Sequence, residues 1–361
     1  MTEHQTEDLT SFVAKMGGDR ALRVEENLGQ GFVRLRVAEA ERRQAAHDIR
    51  CSEDIVIEML RNSRDAQARH IFVATNKDGD ERIITMLDDG VGIPHDLWAS
   101  VFDARVTSKL ESVHMDRWGV HGRGMALYSI AENAVSHGVI DSVVGGGTSI
   151  RVTSDTTRLS ERSDQSSWPV TGSDDEGRMT IERGPHNILR TCCEFALEER
   201  GTCEVYVGSP AEMVATMRVR MRPSISNKDL LFLDDLSSLP ICERFRVASD
   251  ARELMQISQQ CGLDISERTA HRIIAGQIKP LRSVMARLTH SGSSKGKRAV
   301  DLGADRRGLT LSKDDSQEFI RMMERDFAYL ADRYYLTLSS QPRIRVAGNR
   351  LSVYFEYEGE D

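Results

Sequence analysis

The chain has 361 residues, 39% hydrophobic and 29% charged, with a formal net charge of −8. That length suits roughly two to three domains with a sizeable core, and the acidic balance excludes a protein that coats nucleic acid along its whole length. No apolar run approaches the ~18 residues needed to span a bilayer, and no secretory leader opens the chain, so no membrane contact and a cytoplasmic location are expected. The charge is uneven: residues 241–300 carry 11 Lys/Arg against 5 Asp/Glu. The six cysteines, Cys51, Cys192, Cys193, Cys203, Cys242 and Cys261, contain no C-x-x-C pair and read as buried thiols.

Residues 1–31 form a polar N-terminal segment. A helix is expected over 32–49, where Val33, Val37 and Ala40 fall at i, i+4 and i+7. It ends in His47-Asp48-Ile49-Arg50, which imitates a phosphoacceptor box. Glu58 follows only 11 residues after His47, too soon for the long hairpin such a box requires. Ser52 is the expected N-cap of a second helix through about 68, with Glu53 and Asp54 in its first turn. Strands are expected at 71–75 and 82–87, joined at Asp78-Gly79. The second runs directly into a glycine turn. An apolar helix over 124–136 and strands at 137–144 and 148–153 follow. Residues 154–178, rich in Ser, Asp, Thr and Gly, read as a surface loop or disordered insert. A strand is expected at 201–207.

Residues 226–290 read as a helical subdomain, with helices at 250–260 and 266–275. A basic linker covers 291–312. An amphipathic helix over 313–335 and a hairpin turning at Gly348-Asn349 close the chain. The fold class is therefore α+β: a two-layer α/β sandwich over 32–220, with a mixed sheet and helices on one face, then a mostly helical C-terminal region ending in a β-hairpin.

Four short motifs carry the chemistry. Glu58, Asn62 and Asp65 fall at i, i+4 and i+7, on one stripe of a helix. A carboxylate and an amide oxygen there suit water activation and Mg²⁺, which takes few hard oxygen ligands. Alone, such a stripe usually faces solvent. Asp88 ends an apolar strand just before Gly90, Gly92 and Ile93, where glycine lets the backbone approach a ligand. A carboxylate so placed accepts from an exocyclic amine, or simply caps a β-turn. Lys109, in Thr107-Ser108-Lys109, offers a point charge or is an ordinary solvated lysine. Gly119, Gly122 and Gly124 precede a helix, whose N-terminal amides suit phosphates. No P-loop sequence is present.

In order and spacing, these motifs resemble the GHKL ATPase superfamily of gyrase B, heat-shock-90 chaperones, histidine kinases and MutL. The resemblance covers about 40–215. It implies the Bergerat-type fold, ATP and Mg²⁺ as ligands, Glu58 as general base for water, Asn62 as the Mg²⁺ ligand, and Asp88 as the reader of adenine. It further implies nucleotide contacts from Asp65, Gly90, Gly92, Ile93, Lys109, Gly119, Gly122, Gly124 and Thr202, with residues 93–124 as the ATP lid. The closing Gly-Thr pair is read as Gly201-Thr202, with Gly147-Thr148 as the alternative.

The lid motifs lean towards MutL and topoisomerase VI B. Glu58 speaks against a histidine kinase, which has no use for a water-activating base. The segment after the core sits where that family has a helix–two-turns–helix module. It also reads as a helix-turn-helix, or as a purely structural subdomain. No transducer domain follows, which argues against strand passage or mismatch repair. The expectation is an Mg²⁺-dependent ATPase acting as a nucleotide-driven conformational or dimerisation switch. Its partners would be a second copy on ATP binding, and DNA or a regulatory protein through 241–298. The alternatives are a nucleotide-gated DNA-binding module and a histidine-kinase-like enzyme.

Overall fold

A computed structural model describes residues 24–37, 39–45, 47–108, 114–121, 124–174, 176, 178–224, 236–289, 313–334, 336–347 and 350–359. The chain divides into two units, 1–303 and 304–361.

The first unit opens with a hairpin rather than a helix. Strands β1 (Val24–Gly29) and β2 (Phe32–Leu35) pair antiparallel around Gln30-Gly31. Both turn residues have positive φ, 49° and 84°, the geometry that tight hairpins favour. Val33 and Leu35 are buried, whereas Arg34 reaches out to Glu26 and Asp103. This two-residue alternation overrides the helical spacing of Val33, Val37 and Ala40. Only α1 (Glu39–Ala45) of the expected 32–49 helix exists.

Helix α2 (Ser52–Asp65) carries the first motif. Its cap is Cys51, one residue before the expected Ser52. The Asp54 carboxylate accepts from the backbone N–H groups of Arg50 and Cys51 at 2.8 and 3.2 Å, satisfying the chain where the helix begins. Ile55, Val56, Met59 and Leu60 are buried, which turns the Glu58–Asn62 stripe the other way.

Strands β3 (His70–Asp78) and β4 (Glu81–Asp88) form the expected hairpin. Two single 3₁₀ turns, His95–Leu97 and Ser100–Phe102, precede the short β5 (Val106–Thr107). Strand β5 pairs with β2, so the N-terminal hairpin and the 93–124 segment expected as the lid share one sheet. Strands β6 (His114–Asp116) and β7 (Gly119–His121) make a small hairpin inside that segment. Helix α3 (Ala126–Asn133) and strands β8 (Ser136–Val143) and β9 (Gly147–Asp155) follow, then the hairpin β10 (Val170–Ser173) and β11 (Met179–Arg183). Helix α4 (Ile188–Glu198) leads to β12 (Glu204–Gly208), and helices α5 (Pro210–Arg220), α6 (Ile241–Val247), α7 (Ala251–Gln260), α8 (Glu267–Ile274) and α9 (Val284–Thr289) end the unit.

The main sheet has five strands in the order β12-β3-β4-β9-β8, with β12 parallel to β3 and the other pairs antiparallel. It is the mixed sheet expected from the sequence. Ile71, Val73, Ile84, Met86, Val152, Val205 and Val207 point to one face, into a core shared with α2, α3 and α4. Phe72, Ala74, Leu87 and Tyr206 alternate to the other face.

That second face is also apolar, and Phe72 stacks on Tyr206 at 5.0 Å. Each such side chain gains about 1.5–3 kcal/mol by leaving water, so the face needs a cover. Met213, Val214 and Met217 of α5, Phe245 of α6, Leu254 and Ile257 of α7 and Ile273 of α8 provide it. Within the 226–290 segment expected as a helical subdomain, α6, α7 and α8 therefore form a layer on this face, whereas Val284 and Leu288 of α9 join the first core.

The described residues of 154–178, expected as a surface loop or disordered insert, make specific contacts with the core. Glu161 pairs with the buried Arg82 at 2.7 Å, and Gln165 donates to Glu53 at 2.7 Å. Their polarity serves buried partners rather than solvent.

The second unit consists of α10 (Lys313–Tyr334) and four short strands, β13 (Leu336–Leu338), β14 (Arg343–Ala347), β15 (Arg350–Tyr354) and β16 (Tyr357–Gly359). Strands β14 and β15 form the expected hairpin, and β13 pairs with β16. Phe327 is buried against Phe355 at 4.9 Å. Among the described residues, no helix is long and apolar enough to cross a membrane.

Candidate functional site

A cavity of about 1230 Å³ opens beside α2. Its walls include Glu58, Asn62 and Asp65 of α2, Asp88 at the end of β4, and Gly92, Ile93 and Pro94 beyond it. Arg105, Thr107, Ser108, Gly124, Met125 and Thr148 complete it. The volume is ample for a nucleotide.

Asp88 is the buried anchor. Its carboxylate accepts from Ser63 Oγ at 2.8 Å and from the Gly90 N–H at 2.9 Å. Burial pushes its pKa up to about 6, against the pull of those two hydrogen bonds. Near neutral pH it is a carboxylate with spare lone pairs in a dry site, and it suits an amine donor.

Two glycines are sterically obligatory here. Gly92 has φ +74°, and a Cβ on it would lie 2.1 Å from the Val143 carbonyl oxygen. Gly147 has φ +97°, and a Cβ there would lie 2.0 Å from the Asp88 carbonyl oxygen.

The α2 stripe is heavily charged. Glu58 Oε1 accepts from Arg61 Nη1 at 2.7 Å. Arg61 also donates from Nε to Asp116 at 2.8 Å, and from Nη2 to the same carboxylate. Burial alone would raise the Asp116 pKa, yet Arg61 and Arg64 hold it below the usual range. Arg64 pairs with Asp65 and with Glu199, each at 3.0 Å. Asp48 lines the same cavity, its carboxyl pushed up by burial and by the charge of Glu58. The Asn62 amide nitrogen is buried without a hydrogen-bond partner. Such an orphan fits a site completed by a polar ligand.

At the other end, α3 begins at Ala126 with no side-chain cap, and Gly124, Met125, Ala126 and Leu127 line the cavity. Uncapped amides at a helix start attract anions. The Gly124 carbonyl accepts from the Arg105 N–H at 2.7 Å, and this ties the turn to the lid. Arg105 has a positive φ of 62° and donates to Glu41 at 2.5 Å.

An amine acceptor, a row of open amides and an orphan amide thus surround one cavity. Residues 48–158 match the family model described as histidine kinase-, DNA gyrase B-, and HSP90-like ATPase. This stretch is a GHKL-type ATPase domain. No curated protein matches the chain. A domain of this kind supports ATP binding of the ATPase or kinase type. Nothing in the match singles out the MutL or topoisomerase VI B side.

Within the GHKL domain, the fold brings Glu58, Asn62, Asp65, Asp88, Gly92, Ile93 and Gly124 to one cavity. Gly90 acts through its N–H on Asp88, and Gly119 starts β7. Lys109 and Gly122 lie outside the described residues. Thr202 is not brought in. It lies in the exposed turn between α4 and β12. Thr148 lines the cavity instead, directly opposite Asp88 in the β4–β9 register. Of the two Gly-Thr pairs, Gly147-Thr148 is the one at the cavity, and the family match contains it but stops short of Thr202.

Sequence reasoning missed Ser63, Arg61 and Asp116. Ser63 adjoins the motif Asn, but its partner Asp88 is 25 residues away. Arg61 lies between Glu58 and Asn62, where only an i, i+3 pairing with Glu58 was legible.

Proposed function

We propose that the GHKL domain hydrolyses ATP and that the bound nucleotide switches its conformation. The observation that carries this is the shared cavity. Glu58 and Asn62 stand one helical turn apart on α2, and face the same space as Asp88 and the open start of α3. In this reading Asp88 takes the adenine amine and the α3 amides take the phosphates. Asn62 holds Mg²⁺, which when bound spreads the charge of the phosphates. Glu58 orients the attacking water and removes its proton. ATP would favour one arrangement of the 93–124 lid over others, which is all a ligand needs to act as a switch. A second copy of the chain is the partner proposed for the switched state.

The test is ATP turnover by the wild type and by Glu58→Gln, with ADP binding measured separately. Retained ADP binding with hydrolysis lowered by about 10²-fold or more supports the assignment. Equal turnover by the two proteins removes Glu58 as the base. Labelled phosphate accumulating on protein would replace hydrolysis with a kinase reaction.

A second reading, DNA contact through 241–298, is favoured by the exposed Arg252, Arg268, Lys279 and Arg282. It requires duplex binding that weakens steeply with salt and responds to ATP. Absence of binding at low salt, with and without nucleotide, removes it.

A further inference from the structure

The lid hairpin is seated on the ATPase core at its turn. Asp116 receives two bonds from Arg61, and a third from Arg64 at 3.3 Å. Arg117 reaches Glu194 of α4 at 3.3 Å, and Trp118 packs 6.2 Å from Phe195. Arg61 is only 3% exposed and Asp116 only 8%. The same Arg61 guanidinium donates to Glu58 at 2.7 Å. One buried cation therefore bridges a carboxylate of the lid and the carboxylate on the active face of α2.

We propose that Arg61 is the positioning residue of Glu58, and that Asp116 of the lid sets how strongly Arg61 holds it. The inference rests on Glu58 being the base. A guanidinium stays charged at any relevant pH. Paired with a carboxylate, it fixes one oxygen and lowers that oxygen's affinity for protons. A base held too firmly is a weak base. Asp116 offsets the same cation from its far side. With the lid turn seated, Glu58 is oriented while much of the Arg61 charge is spent on Asp116. With the turn lifted, Asp116 no longer offsets the Arg61 charge felt by Glu58, and proton abstraction slows. Arg64 does not take over the offsetting role, because it is itself a cation, held by Asp65 and Glu199. The lid would thus report its position to the base without touching the nucleotide.

The test is single-turnover ATP hydrolysis across pH by the full chain, for the wild type, Arg61→Met, Arg61→Lys and Asp116→Asn. Removing the cation in Arg61→Met should move the acid limb of the rate profile up by about one pH unit or more. Asp116→Asn should move the limb down, because the offsetting charge is gone, while Asp48, a further carboxyl that faces Glu58, is unchanged in every variant. Arg61→Lys, which keeps the charge, should return the limb towards wild type. A purely structural role for these residues would lower the rate without shifting the limb in opposite directions.

If Asp116→Asn does not fold, Trp118→Ala unseats the same turn without removing a charge, and it should shift the limb the same way. Limbs that do not move, or that move together, overturn the inference when Glu58→Gln is inactive. If Glu58→Gln hydrolyses ATP normally, or the wild type shows no turnover, the base assignment falls and the inference with it.

Discussion

In the proposed reading Asp88 takes the adenine amine, so its titration should make nucleotide affinity depend on pH. Its pKa stands at about 6 because the carboxyl is buried. Only the carboxylate accepts from an amine without competing for it. A group of that pKa is roughly 90% ionised at pH 7 and roughly 10% at pH 5. ADP affinity should therefore fall about tenfold between those values, or about 1.4 kcal/mol. The assay is calorimetric titration with ADP from pH 5 to 8.

Asp88→Asn supplies the baseline, because titration of the ligand's phosphates remains in it. The variant should bind weakly throughout and lack the extra slope. Its stability should change in a linked way. The folded pKa lies above the ordinary 3.8, so the folded chain holds this proton more tightly than the unfolded one. The contribution to stability is fully present below about pH 4, is lost as pH rises through about 6, and leaves a penalty on the order of 3 kcal/mol above it. Asparagine removes that penalty but gives up a charge-assisted hydrogen bond, worth about 1.5–3 kcal/mol. Asp88→Asn should thus gain stability relative to wild type as pH rises from 4 to 7. Wild-type affinity that is flat between pH 5 and 7, or an equal slope in the asparagine variant, would refute the reasoning.

Gly147→Ala should lower the melting temperature and abolish ADP binding together, since its Cβ would sit 2.0 Å from the Asp88 carbonyl oxygen at a φ that alanine resists. Normal ADP binding by the folded variant would contradict the tight β4–β9 approach. Phe72→Ala should cost about 3–5 kcal/mol in denaturant unfolding, as a stacked ring of the second sheet face is lost. A loss below about 1 kcal/mol would mean that α5–α8 do not bear on the sheet. The hydrogen bond that His70 Nδ1 donates to the Asp89 carboxylate raises the His70 pKa, with burial opposing it. That contribution to stability is fully present below the ordinary 6.5 and is lost as pH rises through the elevated value. Asp89→Asn should flatten this part of the stability profile, and an unchanged profile would discount the pair.

Much of the candidate site was legible because each motif is made within one short element. An apolar strand running into Asp88 and Gly90, or carboxylate and amide one turn apart at Glu58 and Asn62, needs no distant partner to be recognised. The same locality explains the errors. The spacing of Val33, Val37 and Ala40 is helical, but pairing of β2 with both β1 and β5 decided for a strand. Residues 154–178 are polar, and only the fold shows Arg82 and Glu53 waiting for that polarity.

What the sequence determined by itself was the presence of a GHKL-type domain and the mixed α/β architecture around it, since both follow from residue type and short-range period. The tertiary structure decided three further points. The register of β4 against β9 chose Thr148 over Thr202, although both follow a glycine. The outward alternation of Phe72, Leu87 and Tyr206 drew α5–α8 onto the sheet as a second helical layer. The packing of the lid turn on α2 joined Asp116 to Arg61 across 55 residues. Each depends on contacts between segments far apart in the chain, and no local pattern of side chains encodes which of them will meet.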